Sequence, residues 1–523
     1  MREWLPRGHP VWLVITAVED HMDTSAFHAG RKTGGPGTAG YDPDMLVTVL
    51  VWAYAHKITS SREIEGLCRT DVAFRVICAG NLPDHVTFAR FRKDFPGLVE
   101  EFFAQVLILC ARLGMGKLGT IALDGMKIAA NASKAANRTE EGLRKLARGA
   151  VAAHAEADAA EDALFGEGVR GDEVPEEAWN PRSRDGRIRA ALAGLEAGRA
   201  AAEQAEAAKA EGFRERQAAG QRTGCSPASA AVALAGERLA RVRADREAQL
   251  AELGKRRAAG QPRRGNQAGV DDYCRVREAA AQVEKARARA AEAERRAAER
   301  EQNRKGPGPV RNITDPDSRL MPVRGGGFIQ GYNAQNVTSE DELIIATELT
   351  DDPTDMAWFE PMMRAADAAA ALIQAHRPAP DPGSGDGGAD GGGIGQALAD
   401  AGYCSEANLT CDGPDRLIAV GKHRDLEKAA RGGDTGQDRG GEAVRAMRDR
   451  LKTEAGIEAY RQRGHIAETP HGHIKHNMGI RQLSVRGTAK AAAEWTFICA
   501  VHNLFKAITT GHLTLQALAA LAS

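Results

Sequence analysis

The sequence predicts an α/β protein: an all-helical N-terminal segment, then a mixed layer of strands and helices interrupted by a long helical insertion. Three observations predict it. The run Met45–Tyr54 is apolar all round, as a buried helix requires. Short apolar runs such as Ile121–Leu123, bounded by turn residues, read as strands. From about Arg138 to Lys305 the composition shifts to Ala, Glu and Arg, with opposite charges at helical spacing.

Along the chain, Ser60-Ser-Arg-Glu carries a helix-start signal. Pro83-Asp-His predicts a turn and a helix from Asp84 or His85 that shows Arg90, Arg92 and Lys93 on one side. Such helices fit either a helix-turn-helix-like DNA-binding unit or a plain bundle with a solvated basic face. Asp124-Gly125 ends or bends the strand formed by Ile121–Leu123. The Ala-rich insertion, with pairs such as Glu292–Arg296, reads as a weak coiled coil or helical hairpin, broken at 171–175, 220–227 and 254–265. Strands resume at 327–337 and 342–349, joined through Thr338–Asp341. A helix follows over Asp355–Ala375, a Pro/Gly/Asp-rich loop over Pro378–Gly395, and a strand at Leu417–Val420. Helices are expected over Glu442–Lys475 and, buried, over Glu494–Phe505. The expected domains are 1–115, a helical DNA-binding segment; 116–137 and 311–523, two parts of one core; and 138–310, the insertion.

Composition narrows the function classes. The 523 residues carry a net charge of −1 and no apolar run of membrane-spanning length, so a membrane role is not expected. The start lacks an apolar leader, and the eight Cys show no CxxC or zinc spacing; together these favour a cytoplasmic protein and set zinc fingers aside. Charge is unevenly placed. Between Val444 and Arg486 nine Lys/Arg stand against four acids, with four His besides, which suits binding of a polyanion.

Three acids stand out by position: Asp124 after an apolar strand, Asp400 before Ala-Gly-Tyr, and Glu468 in the basic stretch with Arg463 upstream and Lys475 seven residues on. Carboxylates converging from separate elements are what a pair of Mg²⁺ ions needs for phosphodiester transfer. Each also has an ordinary reading: a strand-end Asp as a turn or cap residue, Glu468 with Arg463 as a surface ion pair. Pro470 is tolerable only in a first helical turn. His471 and His473, two apart, point away from each other on a helix and read as solvated or DNA-facing. Trp495 and Asn503 read as packing and a helix-end hydrogen bond.

Ordered blocks carry a resemblance. Leu123-Asp124-Gly-Met-Lys-Ile-Ala-Ala-Asn131-Ala-Ser133, Gln330-Gly-Tyr-Asn-Ala-Gln335, Leu398-Ala-Asp400-Ala-Gly-Tyr403 and Tyr460-Arg-Gln-Arg463 with Glu468 and Lys475 resemble bacterial insertion-sequence DDE transposases. Tyr41-Asp-Pro-Asp-Met-Leu and Pro83-Asp-His-Val-Thr-Phe are similar to the InsH-type N-terminal domain of that branch. The resemblance implies an RNase H-like core with Asp124, Asp400 and Glu468 as catalytic acids and metal ligands. It implies Mg²⁺, with Mn²⁺ as a substitute, and double-stranded DNA (element ends and target) processed by a homodimer or higher oligomer. Tyr460, Arg463 and Lys475 would contact DNA, with Arg90 and Arg92 on the N-terminal segment. The chain departs from the family where Thr469-Pro470-His471 replaces a Pro-Val-Phe-like run, and in its Gly-rich loop 382–395. A nuclease of the same fold that does not join strands, and a non-catalytic DNA-binding protein, are the competing readings.

Overall fold

The computed structural model describes residues 3–29, 40–94, 96–149, 183–219, 227–260, 268–302, 309–323, 325–378, 393–421 and 440–522. The expected break at 171–175, nearly all of 220–227, the part 261–265 of the break at 254–265 and most of the loop 378–395 lie outside the described residues. The chain divides into two compact units, Met1–Asn137 with Asn312–Ser523, and Arg138–Arg311.

The first unit is built on a six-stranded sheet: β1 (Thr120–Ala129), β2 (Arg319–Pro322), β3 (Phe328–Ser339), β4 (Ile344–Thr350), β5 (Gln396–Ala399) and β6 (Asp415–Ile418). The order is β2-β3-β1-β5-β6, and β4 lies beside β2 along the same edge of β3. β3 runs antiparallel to β1, β2 and β4, whereas β5 and β6 run parallel to β1 and to each other. The strands at 328–339 and 344–350 match the sequence expectation. β1 does not: it continues through Asp124-Gly125 to Ala129, because β3 pairs with it residue by residue from Ile121 to Ala129. Gly331 in β3 is required there, since a Cβ would overlap the carbonyl of Ile128.

Side-chain alternation assigns the two faces. Gln335 and Asn333 look toward the helix Phe359–His376, through hydrogen bonds to Asp355 at its approach. Asn336, paired with Asp124, looks toward the helices Glu454–Gly472 and Thr488–Thr509, through His471 and Trp495. Under the helix Glu454–Gly472, Ala122, Leu398 and Leu417 pack against Met447, Ile466 and Ala467.

The N-terminal helices share the main apolar core with the strands, so the first 115 residues are not a separate body. Pro43–Ala55 is apolar on every side because it is enclosed: Val47, Val49, Leu50, Val51 and Tyr54 have no exposure. Val99–Arg112 packs on Thr488–Thr509 and on Phe359–His376. Asp84 caps the helix His85–Lys93 through the amide of Thr87. Asn503 lies within Thr488–Thr509, not at its end, and accepts from Ile344 N at 2.9 Å while donating to its carbonyl at 2.8 Å. Trp495 is fully buried, as expected.

In the second unit the helices Arg184–Ala218, Ala228–Ala258 and Cys274–Gln302 bury Ile188, Leu195, Val276 and Val283 as well as Ala, so the described seams are less Ala-rich than expected, and the last two helices pack as a hairpin. Arg246, almost fully buried, donates to the carbonyl of Ala268 at 2.6 Å and lies 4.4 Å over the Tyr273 ring. The Glu292–Arg296 pair is present.

Candidate functional site

Strand register brings two of the three acids together. Leu123 pairs with Ala399 across the parallel β1–β5 ladder, so Asp400, one residue past the end of β5, stands beside Asp124. β5 stops at Ala399 while β1 runs on, which leaves that edge of β1 without a paired strand from Asp124 until Ala129, which bridges to Gln482. Asp400 caps the short turn Ala401–Tyr403, accepting from Gly402 N at 2.8 Å. Asp124 accepts from Gly125 N at 3.0 Å. Burial, then the charge of Asp124, and further off that of Asp355, raise the Asp400 carboxyl above its ordinary range, against the Gly402 amide and Arg463, which lower it. Like charges held near each other in partial burial are what a cation would relieve.

The helix Glu454–Gly472 supplies the positive side. Arg463, 9% exposed, places Nη1 3.7 Å from Asp124 Oδ2, and that nitrogen has no hydrogen-bond partner. Burial opposes its charge, but Asp124, Tyr460 and Asp400 outweigh it. Tyr460 donates to the carbonyl of Ala399 at 3.3 Å, tying the helix to the end of β5.

His471 is not solvated as the sequence reading expected. It is 8% exposed, with Nδ1 3.8 Å from Asp124 Oδ2 and Nε2 3.1 Å from the Asn336 amide nitrogen. Asn336 Oδ1 already accepts from Thr347 at 2.6 Å and Trp495 at 3.2 Å, so its amide nitrogen donates to His471 Nε2 and the ring proton sits on Nδ1, toward Asp124. Burial, then the charge of Lys475, pushes the His471 pKa down to about 4, which keeps the ring neutral near pH 7. Pro470 lies near the end of the helix, not in its first turn, and a π turn, His473–Asn477, follows. His473 points elsewhere, to His502, 3.0 Å away between Nδ1 atoms.

The remaining sequence candidates are placed differently. Glu468 is exposed on the same helix, beside the buried Ala467, and its charge acts on His471. Lys475 is half-buried in the π turn. Arg90 is exposed on His85–Lys93. Arg92 is not part of a basic face: it is 8% exposed, and its guanidinium is spent on Tyr54 at 3.0 Å, the Thr59 carbonyl at 2.8 Å, Ser484 at 3.2 Å and Ser61. Its position two residues from Arg90 turns it to the opposite side of the helix, into the core.

Sequence reasoning missed Asp355, Lys127 and Asn336. Asp355 Oδ1 accepts from Asn333 at 2.7 Å, Gln335 at 2.8 Å and Lys127 at 3.2 Å. Gln335 in turn accepts from the Tyr403 hydroxyl. The block Gln330–Gln335 that carried the resemblance is therefore the platform that holds Asp355. The signal available was an Asp just before an amphipathic helix, which reads first as a cap. Among the described residues, the three-membered group of ligand atoms all within 4.8 Å of one another is His28, Asp42 and Asp44, at the capped start of Pro43–Ala55. Asp124, Asp355 and Asp400 do not form such a group.

The chain is an α/β protein in which a mixed sheet sets paired acids at a strand end, backed by a buried arginine. Residues 1–94 match the family model described as Transposase domain (DUF772), and residues 435–508 that described as Transposase DDE domain. The two matches lie at the two ends of the chain and together cover less than half of it. The second match spans Tyr460, Arg463, Glu468 and Lys475; Asp124 and Asp400 lie outside both. No curated protein and no solved structure gives a significant match. Among the described residues no helix is long and apolar enough to cross a membrane.

Proposed function

We propose that the chain is a transposase that cleaves DNA at the terminal inverted repeats of its insertion sequence and joins the freed ends to target DNA. The observation that carries this reading is the meeting of Asp124 and Asp400 beside Arg463 and Tyr460, residues of the segment that matches the DDE domain. The strand order, with three antiparallel strands followed by two parallel to the first, supports an RNase H-like core.

The residues fit a divalent cation. The donors are hard carboxylate oxygens, the Asp400 carboxyl is strained by like charge, and the buried Arg463 Nη1 lacks a hydrogen-bond acceptor that a phosphate oxygen would supply. Asp124 and Asp400 would hold the ion, and Glu468, on the adjacent helix, is assigned as the third acid. Mg²⁺, or Mn²⁺ in its place, would supply Lewis-acid polarisation of the scissile phosphate. The protein's own part is to orient and neutralise. Neutral His471 holds the Asp124 carboxylate from one side, and Arg463 offers Nη1 to a phosphate oxygen while Tyr460 fixes the helix against β5. Lys475 and Arg90 are assigned to the DNA backbone; Arg92, engaged internally, is assigned to structure instead. Processing of two ends together would need a dimer or larger assembly on DNA.

Incubation of the full chain with labelled element ends, target DNA and Mg²⁺ tests the reading. Joined products are expected. Cleavage alone would indicate a nuclease that does not transfer strands, and binding without either would leave only a DNA-binding protein.

A further inference from the structure

We propose that the segment 478–487, laid against the far end of β1, is a track for DNA phosphates, with Arg481 and Arg486 as its contacts and Lys134 beside them. The inference deepens the functional reading above and rests on it, since it names residues that hold the duplex away from the acids.

The segment is placed by β1. Ala129 bridges to Gln482 in parallel, donating its amide to the Arg481 carbonyl at 3.3 Å and accepting from Leu483 N at 2.9 Å. Gln482 donates to the Ala130 carbonyl at 2.9 Å, and Asn131 to the Ser484 carbonyl at 2.6 Å. Because β3 holds one edge of β1 as far as Ala129, the segment takes the other, the edge that β5 leaves after Leu123. Ile480 and Leu483 are buried and anchor it, whereas Arg481 and Arg486 are exposed. One edge of one strand thus carries the paired acids at one end and two arginines at the other.

The charge there is unopposed. No Asp or Glu stands between Glu468 and Glu494, while Lys475, Arg481, Arg486 and Lys490 do. The acids that reach the segment are taken by backbone amides: buried Glu494 by Ser484 and Val485, Asp315 by Gly487, and Asp317 by Thr488. Arg486 Nε donates to the Asn131 carbonyl at 2.9 Å; Arg481 Nε donates to the Lys475 carbonyl at 3.4 Å, with its Nη2 3.3 Å from His476 Nδ1. Lys134, exposed where β1 has ended, donates to the Phe328 carbonyl at 3.0 Å. Among the described residues none of these three cations is in an ion pair, whereas exposed Arg296 and Arg364 are paired with glutamates one turn away. A carbonyl on Nε holds an arginine stem and leaves Nη nitrogens for a phosphate oxygen. Phe328, 55% exposed, adds an aromatic face, and cations beside an aromatic suit a nucleic acid better than an acidic protein. From Asp124 to Ala129 the strand advances about 17 Å at roughly 3.3 Å per residue, or about five base pairs of duplex.

The test is binding of the full-length protein to a labelled duplex carrying the element end, over a range of salt, for the wild type, Arg481→Ala, Arg486→Ala, the double variant and Arg364→Ala. Arg364 lies on the helix Phe359–His376, on the other face of the sheet, and controls for loss of charge alone. Each single change at 481 or 486 is expected to weaken binding about fivefold near 0.1 M salt and to lower the slope of log K against log salt by about one. The double variant is expected to lose about twenty-five-fold and about two units of slope, and Arg364→Ala to match the wild type. Wild-type binding that the double variant leaves unchanged, or that Arg364→Ala weakens as much, overturns the proposal while leaving the functional reading intact. Failure of the wild type to bind the element end sinks that reading and the proposal with it. Ethylation interference locates the contact: interfering phosphates are expected about five base pairs from the cleaved bond for the wild type, and not there for the double variant. The same pattern for both proteins contradicts the track.

Discussion

At the residue scale, two kinds of buried polar group behave oppositely. Asp400 is held where burial and the charge of Asp124 disfavour its carboxylate, so Asp400→Asn is expected to leave the unfolding midpoint unchanged or raised, whereas Asp124→Asn, which removes the anion beside the buried Arg463, is expected to lower it. Strand transfer should fall on the order of a thousandfold, the several kcal/mol a metal site contributes. A thermal melt beside an end-joining assay checks both halves. His502 is a structural group: 2% exposed, it shares a hydrogen bond with His473 and lies 3.1 Å from the Glu342 carbonyl, with Lys506 near by. Burial, then His473, lowers its pKa from 6.5 to about 3. Below pH 6.5 the unfolded chain takes up a proton that the folded chain refuses, so stability is present above that pH and falls on acidification. The loss is up to about 1.4 kcal/mol per pH unit, until the folded value is reached. Denaturant melts between pH 7 and 4 should show that slope added to the one His471 contributes, and His502→Gln should remove its own share. An unchanged slope would mean that His502 is not the group that titrates.

Elements set what the residues can reach, and here legibility was uneven. β1 and β3 pair so closely at Ile128 and Gly331 that Gly331→Ala is expected to cost roughly 2–4 kcal/mol, measurable by urea denaturation. A cost below 0.5 kcal/mol would mean that the β1–β3 pairing opens easily there. The strands at 328–339 and 344–350 were legible because two strand-like runs flank the turn at Thr338–Asp341. The continuation of β1 past Asp124 was not, since a DG pair reads locally as a turn and only β3, some two hundred residues away, keeps it extended. Asp124 and Asp400 could be singled out from their places at apolar runs, but their adjacency depends on the β1–β5 register. The inward turn of Arg92 and His471 depends on what lies across from them, Tyr54 and Ser484 in one case and Asn336 in the other. A basic or histidine-rich run does not reveal which of its members face a partner.

For the whole molecule, the insertion is separable from the unit that carries the site. Asn137 and Asn312, where the first unit is left and re-entered, are joined side chain to side chain at 3.2 Å, and Asn312 also donates to the Ser133 carbonyl at 2.8 Å. Replacing 138–311 with a short Gly/Ser linker is therefore expected to leave one cooperative unfolding transition and intact Mn²⁺ binding; a molten product would show that the first unit leans on the second for its fold. The most direct test of the central claim is a crystal of the full chain soaked in Mn²⁺ and examined by anomalous scattering. A peak within coordination distance, roughly 2.0–2.4 Å, of both the Asp124 and Asp400 carboxylates is expected. A map with its only peak at His28, Asp42 and Asp44, or none at all, would contradict it.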